Sequence, residues 1–197
     1  NADVGFDYMI SGKAYLSSEV IYVDSTFKND LLRDNKTISA LLGFKWETSP
    51  ITKIAILGGY QKLDFTESAI SDRESNKWKV NINWSPLEYT NLAFLSGRSF
   101  EDANRAGELF KEVDENSISA NHSFSYRLTV AAKFGVTKIK SHSALKISNE
   151  EYSFGTLGFK YQWIRIVDFF GSYGYKGLES NFIGLGYDRN QLELGVR

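Results

Sequence analysis

"KWKVNINW", residues 77–84, alternates without interruption. Trp78, Val80, Ile82 and Trp84 project to one side, and Lys77, Lys79, Asn81 and Asn83 to the other. A period of two belongs to a β-strand whose faces meet two different solvents. In a soluble sandwich the apolar face would be core and the polar face would meet water. Here a tryptophan closes each end of the apolar row, which is odd for a core and common at a membrane boundary.

The same pattern recurs along the chain. In residues 37–46, Ile38, Ala40, Leu42, Phe44 and Trp46 oppose Ser39, Gly43 and Lys45. Residues 117–126, 129–137, 156–163 and 191–197 alternate in the same way, and weaker alternation marks 3–10, 14–24, 52–63, 90–100 and 166–175. The reading predicts about eleven or twelve strands of roughly 8–12 residues and no helix. The connections are expected to alternate in length. Short turns fall at 11–13, 47–51, 85–89, 125–127 and 162–165, and long polar stretches at 25–36, 65–76, 101–116 and 140–151. Short turns on one side and long loops on the other characterise outer-membrane barrels.

Composition agrees. The chain carries 14 Phe, 11 Tyr and 4 Trp, and its mean hydropathy is −0.31. No run approaches the roughly 18 apolar residues of a spanning helix, yet barrel strands need only half their residues toward lipid. A net charge of −1 provides no field to attract nucleic acid. With no cysteine and two histidines, His122 and His142, no metal site or cofactor is expected.

A weak hairpin repeat of about 40 residues links 43–65, 81–102 and 158–180. An aromatic residue precedes each short turn, at Trp46, Trp84, Tyr126 and Trp163, and these four are expected to form one interfacial belt. The fold class that follows is all-β, an antiparallel up-and-down transmembrane β-barrel in the bacterial outer membrane. The apolar face then meets lipid and the polar face a wet lumen. Alternation assigns Lys45, Lys53, Lys77, Lys79, Asn81 and Asn83 to that lumen. It adds Asn121, Lys133, Lys160, Gln162, Asp168 and Glu193. Lysine dominates these twelve positions, so an uncompensated positive lumen is expected.

The "W-SP---T" turn at Trp84, the "G-S-ED" strand exit at Gly97, the "GFKY" strand at Gly158 and the closing "YDRNQLELGVR" together resemble the outer-membrane β-barrel (porin type 2) family. The resemblance covers most of residues 37–197. It implies an exit channel for a secreted polysaccharide, working beside periplasmic export proteins of Gram-negative bacteria. It also implies a longer barrel, usually ending in an aromatic residue where this chain ends at Arg197. Residues 1–197 are therefore expected to be a single barrel domain lacking N-terminal strands, because an odd strand count that starts outside leaves a barrel incomplete.

The function expected is a passive conduit in the lipid bilayer for an anionic polysaccharide or another polar solute. The alternatives are a structural or interaction barrel whose outer loops bind ligands, and an outer-membrane enzyme. For the enzyme, Ser141, His142 and Ser143 are neighbours in sequence, which rarely form a working triad, so no catalytic residues are assigned. His122 is expected in a girdle or lumen position. Asp188 and Arg189 are read either as an inward-folded pair or as a solvated turn.

Overall fold

The computed structural model describes residues 1–197 except 29–30, 50, 68–69, 104, 106, 144–145 and 183. Among the described residues the chain forms eleven strands. β1 (Ala2–Ser11), β2 (Ala14–Ser25), β3 (Asn35–Ser49) and β4 (Thr52–Phe65) come first. β5 (Arg73–Leu87), β6 (Thr90–Asp102) and β7 (Glu108–Ser123) follow. β8 (Leu128–Ser143), β9 (Ile147–Ile164), β10 (Val167–Ser180) and β11 (Tyr187–Val196) complete the set. Each strand pairs antiparallel with its sequence neighbours in one sheet ordered β1 to β11. The sheet does not close on itself, so β1 and β11 each keep an unpaired edge.

All eleven expected strands form, but they run longer than alternation indicates. β7 starts at Glu108 and β9 at Ile147, inside stretches expected to be loops. These polar segments keep their ladder pairing, for example Glu112 with Lys140 and Lys140 with Asn149. Hydrophobic alternation is lost there because charged and polar residues occupy both faces, while the backbone still satisfies its hydrogen bonds as a hairpin. Strand extension thus replaces most of 101–116 and 140–151, while 26–34 and 66–72 stay outside the strands. A 3₁₀ turn, Leu31–Arg33, sits between β2 and β3. Pro50, in the expected 47–51 turn, lies outside the described residues.

The "YDRN" segment is neither of the two expected forms. Tyr187–Asn190 opens β11, where Asp188 accepts a hydrogen bond from the Tyr175 hydroxyl (2.7 Å) and Asn190 one from Tyr173 (2.6 Å). Tyr126 lies past the end of β7, in the turn before β8, rather than in a strand.

The sheet bends toward its Lys/Asn face. Lys79 on β5 reaches Glu19 on β2 at 3.4 Å, and Lys45 on β3 reaches Asp7 on β1 at 3.0 Å. On a flat sheet, strands three apart would lie about 14 Å from each other. Two glycines permit the tightest part of this wall. A Cβ on Gly59 would overlap the carbonyl oxygen of Ala40, and one on Gly43 that of Ile56. Side chains at these two points would force β3 and β4 apart.

Candidate functional site

The registers place all twelve alternation-assigned residues on one face, the concave one. One row shows how: Lys53 faces Asn83, Asn83 faces Ala93, Ala93 faces Ser119, Ser119 faces Lys133 and Lys133 faces Thr156. Asn121 pairs with Asn91, Gln162 with Asp168 and Glu193 with Ser172, which keeps the same parity. Period-two patterning carries this information because one register slip would invert every side chain.

The charge on this face differs from the expectation. Four of its lysines meet carboxylates: Lys45 with Asp7 (3.0 Å), Lys53 with Glu47 (3.9 Å), Lys79 with Glu19 (3.4 Å) and Lys160 with Asp168 (2.8 Å). Lys77 donates to Ser39 Oγ at 3.0 Å, and Lys133 lies 5.3 Å from the centre of the Phe154 ring. The positive face is therefore largely compensated. The expectation failed because Asp7 and Glu47, from β1 and the turn end of β3, were left out of the inward set. Opposite charges two or three strands apart meet only once the sheet curves. Asn83 Nδ2 donates to Asn81 Oδ1 at 2.9 Å, giving a polar row with unused acceptors and donors.

The other face carries Trp46, Trp84 and Trp163, 43–56% exposed and each beside a short turn, while Tyr126, 83% exposed, sits in the turn before β8. His122 joins them: its Nδ1 is 2.8 Å from Thr90 Oγ1, and its ring packs against Tyr89 and Phe124. It lies on the apolar face rather than the concave one. His142 belongs to β8 rather than to a loop, and its ring stacks on Phe110 at 4.4 Å. Ser143 is bound to the Lys146 carbonyl, so the Ser141–His142–Ser143 stretch is a strand segment with structural contacts.

Toward the loop end the apolar face changes character at Trp78. The Trp78 indole donates to Ser96 Oγ (3.1 Å), and the Arg98 guanidinium lies 4.5 Å over its ring. Arg98 grips Asp114 through two nitrogens, one at 2.6 Å, and approaches Glu112 at 3.8 Å. Beyond them Lys138 meets Glu151 at 3.3 Å. Trp84 and Trp78 are thus the two ends of an apolar band about 20 Å long by strand rise, near the roughly 25 Å band of membrane barrels.

The loop end also gathers residues that sequence reasoning missed. Asp102 accepts hydrogen bonds from Ser25 (3.1 Å) and Asn35 (3.4 Å). Arg105 pairs with Glu150, which is 5% exposed and also takes the Tyr152 hydroxyl at 3.0 Å. The hydrogen bond to Glu150 raises the Arg105 pKa above its ordinary value. The available signal was the apolar pair Leu109–Phe110 inside an otherwise charged stretch.

Comparison with known proteins agrees with this geometry. The family profile described as "Putative beta-barrel porin 2" matches residues 19–197. No curated protein matches the chain. Among solved structures, a loop L8 deletion mutant of OmpT, an outer membrane protein of Vibrio cholerae, aligns over 98% of this chain and 61% of its own, at 12% identity and a TM-score of 0.50. In-vitro folded OmpT of Vibrio cholerae aligns over 98% and 62%, at 13% identity and a TM-score of 0.49. The chain thus spans about three-fifths of the length of the OmpT structures it matches. At this identity the likeness is one of fold. The chain belongs to the beta-barrel porin 2 family, and its place is the bacterial outer membrane.

Proposed function

We propose that this chain forms the wall of a passive, water-filled conduit for polar solutes, with a secreted polysaccharide as its cargo. The observation that carries the reading is the concave row from Lys53 to Thr156, which stays small or polar across six neighbouring strands. Such a row offers hydrogen bonds to sugar hydroxyls. Internal ion pairing makes the passage weakly charge-selective, so an acidic polymer is admitted without strong attraction. Periplasmic export proteins would deliver the polymer, as the family resemblance implies. We assign no catalytic step to the chain.

The unpaired edges of β1 and β11 belong to the same reading. Open strand edges are costly in hydrocarbon, where each unmet backbone group costs several kcal/mol. Further strands, from the same protein or another copy, would close the barrel and set its width.

Proteoliposome swelling tests the conduit directly. Vesicles carrying the inserted protein should admit neutral sugars at rates that fall with sugar size, and uronic-acid oligomers at similar rates. Vesicles that contain folded protein yet exclude even monosaccharides would contradict the reading.

A further inference from the structure

Charge on the concave face is not balanced evenly. Lys45, Lys53, Lys79 and Lys160 each meet a carboxylate. Two cations of β10 and β11 do not. Gly174 continues the concave row from Thr156 to Gln191, and two residues further on Lys176 pairs directly with Arg189. A spacing of two keeps Lys176 and Arg189 on that same face. Among the described residues neither meets a carboxylate.

The carboxylates that could neutralise them are engaged or distant. Asp188, beside Arg189 in sequence, takes the opposite face and accepts the Tyr175 hydroxyl at 2.7 Å. Glu193 shares the concave face of β11, but four residues of strand amount to about 13 Å. Glu150 of β9 is bound to Arg105 and to the Tyr152 hydroxyl. Like charges set directly opposite each other destabilise a strand pair. Lys176 and Arg189 therefore face each other at a cost that no internal partner offsets.

The space beside them is shaped. A cavity of about 200 Å³ is bordered on this face by Thr156, Ser172, Gly174, Lys176, Arg189 and Gln191. Gly174 forms its floor, where a Cβ would approach only Thr156, at 4.0 Å. Phe154, the neighbour of Lys176 on β9, turns its ring the other way, over Gly135 of β8. Arg189 donates to Gln191 Oε1 at 3.3 Å, which directs the guanidinium along β11 toward the cavity. The volume equals that of about seven waters, enough for one sugar ring. A guanidinium can hold a carboxylate through two parallel hydrogen bonds, and hydroxyl and amide groups suit the rest of the ring.

We propose that Lys176 and Arg189 form an anion subsite in the wall, holding the carboxylate of one uronic acid residue while Thr156, Ser172 and Gln191 meet its hydroxyls. The inference rests on the conduit reading above and names the point at which that conduit recognises an acidic polysaccharide. A single foothold in an otherwise compensated wall suits a passage, where binding must be strong enough to admit and weak enough to release.

Interruptions of single-channel current in planar bilayers test the subsite, with trigalacturonate, maltotriose or inorganic phosphate added to the bath. Trigalacturonate should interrupt the current at least fivefold more often than the other two. Its events should fade at 1 M salt, where screening shortens to about 3 Å. Lys176→Gln with Arg189→Gln should cut trigalacturonate events at least fivefold, while open-channel current shows that the variant has inserted. Lys176→Arg with Arg189→Lys should keep most of them. Arg127→Gln with Lys146→Gln, which removes two cations from the turns, should leave them within twofold. Equal interruption by maltotriose or by phosphate would overturn the uronate subsite. So would events that persist in the double glutamine variant, and either result would leave the conduit reading standing. Inserted protein that passes neither current nor neutral sugar would overturn both.

Discussion

The two ends of this sheet obey different rules. In the band between Trp84 and Trp78, each strand has one lipid-facing and one water-facing side, so its sequence alternates. Past Trp78 charged and polar residues stand on both sides, the alternation fades, and yet the strands continue through Glu112, Lys140 and Asn149. Strand pairing continues across the boundary everywhere but between β5 and β6, where it stops at Trp78 with Arg98. What differs is the cost of a wrong side chain: hydrocarbon penalises every charge, whereas water beyond the boundary tolerates either parity. Sequence pattern therefore reports the solvent, and reports the strand only where the solvent differs between faces.

Charge substitution should break this comparison most strongly. Ile118, in the same row as Ile82 and Phe94, is 55% exposed on the apolar face. Ile118→Arg should cost about 2–4 kcal/mol, while Ser119→Arg on the concave face should cost close to zero. Urea unfolding of the protein in lipid bilayers measures both. Equal losses at 118 and 119 would mean that the two faces do not meet different solvents.

A backbone test ranks next. Gly59→Ala should destabilise by about 1–3 kcal/mol, since overpacking forces the backbone to shift. The loss should appear with loosened β3–β4 amide protection in hydrogen exchange. Gly58→Ala, where a Cβ meets nothing within 4 Å, should be nearly neutral by the same measurements.

These tests also mark what the sequence could and could not reveal. The eleven strands and the parity of twelve concave residues were legible because alternation over eight to ten residues leaves one consistent register. The compensation of the lysines was not. Lys79 and Glu19 lie 60 positions apart, and only curvature brings them together. Strand ends inside 101–116 and 140–151 were hidden because polar side chains suit loop and water-exposed hairpin equally. The contact between Asp102 and Ser25 was hidden too, since both look like ordinary surface residues until the sheet curves.

Smaller effects belong to the loop end. Arg98→Ala removes the Asp114 pair and the contact over Trp78, and should cost about 1 kcal/mol, within the range for partly exposed pairs. The loss should shrink when salt rises from low to molar concentration, because screening shortens to about 3 Å at 1 M. A salt-independent loss of several kcal/mol would instead place this pair inside the apolar band. Smaller still is the effect of charge on the concave face. Lys79→Glu sets a second carboxylate beside Glu19, and should shift the bilayer reversal potential toward cations. Lys77→Glu, facing the Ser39 hydroxyl, should shift it less.

The central claim is that residues 77–84 meet two solvents in strict turn. Single cysteines placed one at a time from Lys77 to Trp84 and spin-labelled in bilayers test it most directly. Molecular oxygen, which concentrates in lipid, should relax labels at 78, 80, 82 and 84, while a water-soluble nickel chelate should relax those at 77, 79, 81 and 83. A profile without period two, or with the two reagents acting on the same positions, would contradict the account.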